Sequence, residues 1–83
     1  MKYLQKEKLD LHGTKYDLAE SKVIHFIEDN WGAVSDLEII TGHSKKMKLI
    51  VIKILNEYKL NYRIGDFAGF NKGFIVISMS HNI

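Results

Sequence analysis

Between Met47 and Tyr58 the apolar side chains of Met47, Ile50, Val51, Ile54, Leu55 and Tyr58 recur at i, i+3 and i+4. This is the strictest periodicity in the chain. It commits the segment to a helix whose apolar stripe must be covered by something else. Ser44 stands where the N-cap of such a helix belongs. A weaker stripe of Ala19, Val23, Phe26, Ile27 and Trp31 predicts an earlier helix over residues 18–31, which Gly32 is placed to end. Ahead of it, Thr14 with Asp17, or Asp17 with Glu20, has the spacing of a capping box.

The cover for these stripes is found in the segments around them. Residues 9–12 (LDLH) alternate with period two, as a half-buried strand does, before Gly13 and Thr14 break the run. Residues 37–41 (LEIIT) and 60–64 read as two more strands. Residues 74–79 (FIVISM), dense in β-branched and aromatic side chains, read as the central one. The glycine-punctuated stretch 65–73 between the last two is a loop. The order β-α-β-α-β-β predicts an α/β (α+β) two-layer fold with right-handed crossovers that set both helices on one sheet face. The other face is left open to solvent or a partner.

A chain of 83 residues makes one domain, and with no cysteine it has neither disulfides nor thiolate metal sites to hold it. The core must come from the 46% of residues that are apolar. We expect residues 1–7 to form a flexible N-terminal arm, 8–80 a single domain, and 81–83 a tail that includes His81. No apolar run follows the first lysine, so no secretory signal is expected. The longest near-continuous apolar stretch, 49–55, is too short to span a bilayer. Together these features predict a cytoplasmic protein with no membrane partner. A net charge of +2 permits nucleic-acid binding without arguing for it.

Two segments could do chemistry. In an extended strand Asp10 and His12 share a face, with Cα atoms about 6.6 Å apart, at the strand's C-terminal end, where ligands gather in open α/β sheets. A carboxylate and an imidazole at that spacing could flank one phosphate or hold one water, and imidazoles exchange protons near neutral pH. They could equally be solvent-facing residues of an open sheet. In the second segment, Thr41, Gly42, His43 and Ser44 lead into a helix whose start carries Lys45, Lys46 and Lys48. Lysines oppose the helix dipole there, and an anion on the free N–H groups would remove the conflict; a solvated lysine run is the plainer explanation. If the first two strands are neighbours, Asp10, His12, Thr41 and His43 converge at one sheet edge.

Asp10, His12 and His43 also carry donors of the kind a divalent metal such as Mg or Mn takes, with Asp10 and His12 the possible ligands. No ligand pair of His-x3-His type accompanies them. His25 reads as a flank or packing residue. Trp31, Tyr58 and Tyr62 are expected in or beside the core. Phe67 and Phe70, near Lys72 in the glycine-rich loop, could stack on bases or cover the core's end.

The residues LDLHG before the first helix, Ala19 about six residues on, IITG at the end of the second strand, HS after it, and then the striped helix resemble the Smr (small MutS-related) domain from about residue 9 to 79. The resemblance implies a four-stranded mixed sheet with two helices, like the C-terminal domain of translation initiation factor 3. It also implies DNA or RNA binding and, in several members, endonuclease activity. It maps the family's acid and histidine onto Asp10 and His12, its T-G-x-G loop onto Thr41 and Gly42, and its histidine-serine pair onto His43 and Ser44. The second glycine of that loop has no counterpart here. The function expected is therefore a nucleic-acid-binding, monomeric domain that nicks or cleaves the backbone, with Thr41 to Ser44, Lys45, Lys46, Lys48 and Lys72 as nucleic-acid contacts. The alternatives are a binding module without catalysis and a protein-interaction domain. An unidentified larger protein would then be what brings so small a domain to its target.

Overall fold

The computed structural model describes residues 7–66, 69 and 71–79. The elements run β1 (Glu7–Asp10), α1 (Tyr16–Asp29), β2 (Leu37–Ile40), α2 (Lys45–Glu57), β3 (Asn61–Ile64) and β4 (Phe74–Ser78). They form one mixed sheet in the order β1-β2-β4-β3. β1 and β2 are parallel, and β4 lies antiparallel to both of its neighbours. The β-branched run 74–78 is thus an interior strand, as its composition predicts. β1 already begins at Glu7, within the stretch expected to be a free arm.

The register places Leu9, Ile39 and Ile75 in one cross-strand row and Leu37 and Ile77 in the next. All of these point to the same side. There they meet Ala19, Val23 and Ile27 of α1 and Met47, Val51, Ile54 and Leu55 of α2 in a single core. Both helices therefore cover one face, and the fold is a two-layer α/β sandwich. Residues of opposite parity, Asp10, Glu38, Ile40, Phe74 and Arg63, lie on the far face around Val76, which is itself buried.

The capping boxes expected before α1 do not form. The helix starts at Tyr16 with Lys15 at its N-cap, and no side-chain capping bond closes this end. At the other end Asn30 caps it, with its amide nitrogen donating to the Phe26 carbonyl at 2.8 Å. Trp31 falls beyond the last turn and is 56% exposed, so it joins the stripe by spacing but not by burial. Tyr58 and Tyr62 do pack against the core. No helix among the described residues is long and apolar enough to cross a membrane.

Candidate functional site

Two turns, one after each parallel strand, build the site. In the first, Thr14 N–H donates to the Leu11 carbonyl at 2.9 Å, and Gly13 at φ +80° supplies the left-handed residue that a type II turn needs in its third position. This turn begins before the LDLH alternation is finished. Leu11 keeps one sheet bond, donating to Ile40 O at 2.8 Å, while His12 leaves the sheet. Asp10 Oδ1 accepts the His12 backbone N–H at 2.9 Å. The carboxylate thus holds the main chain that carries the imidazole.

In the second turn, the N–H groups of Thr41 and Gly42 both donate to the Gly73 carbonyl, each at 2.9 Å. The buried Thr41 hydroxyl lies 2.9 Å from the Gly42 carbonyl and 3.3 Å from that of Gly73. The loop between β3 and β4 is therefore latched onto the turn that follows β2. Gly42 has φ +68°, and a Cβ there would stand 3.3 Å from His12 Cδ2. The imidazole of one turn rests against the glycine of the other, whose left-handed backbone is one that glycine adopts without strain.

Ser44 caps α2 by accepting Met47 N–H at 3.1 Å. Its Oγ also lies 3.0 Å from the Tyr16 hydroxyl, tying the start of α2 to the start of α1. Lys46 Nζ sits over the Tyr16 ring, 4.5 Å from its centroid, at cation–π distance.

The two turns and two helix starts enclose a cleft of about 500 Å³, lined by residues 11–16 and 41–44 with Met47. That volume is in the range of small-ligand sites. His12, Lys15 and His43 stand in its wall. The first-turn N–H groups of Tyr16 and Asp17, and of Lys45 and Lys46, have no intrahelical partner. Both helix dipoles end positive here, so the cleft favours an anion.

Of the residues expected at a site, His12, Thr41, Gly42, His43 and Ser44 are brought together in this wall. Asp10 is not; it acts on it through the His12 backbone. Lys45, Lys46 and Lys48 flank the cleft without lining it, the first two exposed. Lys72 is exposed on the latched loop. Phe67, Phe70 and His81 lie outside the described residues. Sequence reasoning missed Lys15 and Tyr16. The one signal for them was their place, directly after the glycine turn.

Asp10 Oδ1 is engaged by a backbone N–H, and among the described residues no group of three or more His, Asp, Glu or Cys side chains is placed to hold a metal ion. No family model matches the chain, and no solved structure matches it significantly.

Proposed function

We propose that this chain is an Smr-like nucleic-acid-binding domain whose cleft receives a backbone phosphate, and that it cleaves the phosphodiester there. One observation carries the reading: two helix starts, Lys15, His12 and His43 converge on a single cleft beyond the C-terminal ends of two parallel strands. Phosphate is the biological anion such a cradle suits best. Contacts of this kind position a strand without reading its sequence.

In the cleavage step His12 takes a proton from the attacking water as the new P–O bond forms. The leaving oxygen departs with its electron pair and is protonated from solvent or His43. Asp10 is a positioning residue that fixes the turn beneath the imidazole. Positioned proton transfer contributes about 10²- to 10⁴-fold to a rate, so His12→Ala should lose at least about 10²-fold. The assay is incubation of the pure protein with plasmid DNA and with structured RNA, with and without Mg or Mn. Asp10→Asn, which keeps an oxygen acceptor for His12 N–H, should retain far more activity than Asp10→Ala. Equal cleavage by wild type and His12→Ala removes the enzymatic reading. Because the carboxylate meets the histidine's backbone, binding without cleavage is the second reading, and oligonucleotide affinity in the absence of any nicking would select it.

A further inference from the structure

Tyr16 is the largest aromatic side chain in the cleft wall, and the phosphate reading gives it no task. It is 43% exposed although it sits at the first turn of α1, between the two helix starts. Its hydroxyl is held by Ser44 Oγ at 3.0 Å, and the Lys46 ammonium lies over its ring. Lys46 lies over one face of the ring without itself lining the cleft, whose wall includes Tyr16. An aromatic plane fixed at both its tip and one face has little conformational freedom left to lose when something stacks on it.

We propose that Tyr16 is a stacking platform for an unpaired nucleobase whose own phosphate occupies the cleft. This rests on the phosphate reading above and names the substrate class: a single-stranded, looped or extruded nucleotide rather than a paired duplex. Three features favour it. A cleft of about 500 Å³ accommodates a nucleotide-sized group, not the width of a double helix. Aromatic rings beside basic groups are the general means of holding unpaired bases, because every base offers a π-face. Lys15, beside Tyr16 in the cleft wall, and Lys46, over its ring, supply charge complementary to a nucleic-acid strand.

The test compares wild type, Tyr16→Phe and Tyr16→Ala by titration with a short single-stranded oligonucleotide, its abasic analogue, the matching duplex and inorganic phosphate, with residue-resolved NMR shifts as the second readout. Tyr16→Ala should weaken single-strand binding by about 5- to 150-fold, the range that base–aromatic stacking gives. Tyr16→Phe, which keeps the ring and loses only its tie to Ser44, should lose far less than Tyr16→Ala, and the duplex and phosphate should not discriminate among the three. Wild type should bind the abasic strand about as weakly as Tyr16→Ala binds the complete one, and the Tyr16 ring protons should shift upfield only with bases present. If Tyr16→Phe loses as much as Tyr16→Ala, the hydroxyl bond to Ser44 matters and the stacking role is overturned. If all three proteins bind the single strand alike while His12 and Lys15 resonances move, stacking is overturned and the phosphate cleft stands. If no oligonucleotide moves those resonances, both fall together.

Discussion

Tyr58 shows how much a single side chain can do at the end of a helix. It packs against the core, its ring centroid stands 6.0 Å from that of Trp31, and its hydroxyl donates to Glu28 Oε2 at 3.1 Å. Desolvation first, and then the Glu28 carboxylate, push the phenol above its usual value of 10.0. The folded state therefore favours the protonated form. That contribution is fully present below about pH 10 and is lost as pH rises through the elevated value. Urea unfolding of wild type and Tyr58→Phe should show an advantage for wild type that narrows as pH is raised from about 9 to 11; a constant difference would show that Glu28 has no hold on the phenol. The spacing of Tyr58 in its stripe was legible in the sequence. Its partner Glu28, thirty positions earlier, was not, because helical periodicity says which face a residue occupies and nothing about which helix lies opposite.

At the scale of elements, α2 is the best specified. Ser44 caps it as its position predicts, and the helix ends in a Schellman arrangement. Leu60 N–H donates to the Leu55 carbonyl at 2.9 Å and Lys59 N–H to that of Asn56 at 3.1 Å, while the buried side chains of Leu55 and Leu60 belong to one core. Lys59 takes the left-handed position at φ +57°, where glycine is the usual occupant. An L-residue there costs about 1–2 kcal/mol, partly offset by the extra freedom glycine gains in the unfolded chain. Lys59→Gly should therefore stabilise the protein by about 0.5–1 kcal/mol, read as a rise of a few degrees in the thermal midpoint. A fall in the midpoint would mean the lysine side chain contributes more than its backbone strain removes. α1 was legible only in its middle. The apolar spacing predicts the turns through Ile27, but at the ends the matching residue types bond elsewhere or not at all, so the cap at Thr14 or Asp17 and the last turn at Trp31 were lost.

For the whole molecule, one core carries the fold. Ile39 lies at its centre, fully buried, with Leu9 on one side and Ile75 on the other in register. Removing a buried isoleucine to alanine costs about 2–5 kcal/mol, against about 5–15 kcal/mol for a typical domain. Ile39→Ala should thus remove between about a seventh and all of the stability, measured as a drop in urea midpoint at constant slope. A changed slope would instead report altered compactness. The same core links fold to site. Leu11 and Met47 belong to both the core and the cleft wall, so the two turns are fixed from below by packing and from the side by the Gly73 carbonyl.

The sequence by itself determined the elements, their order and the face each helix turns inward, since periods of two and 3.6 are local properties of adjacent residues. It also placed Thr41, Gly42, His43 and Ser44 at the start of the second helix. Only the tertiary structure decided that β4 enters between β2 and β3, that Gly73 takes up the N–H groups of Thr41 and Gly42, and that Tyr16 reaches Ser44. It also decided what became of the acid and the histidine that alternate in LDLH. A glycine turn closing one residue early sent the imidazole into the cleft and left the carboxylate to hold its backbone. Such pairings depend on groups that meet only after the chain has folded, and no local period records them.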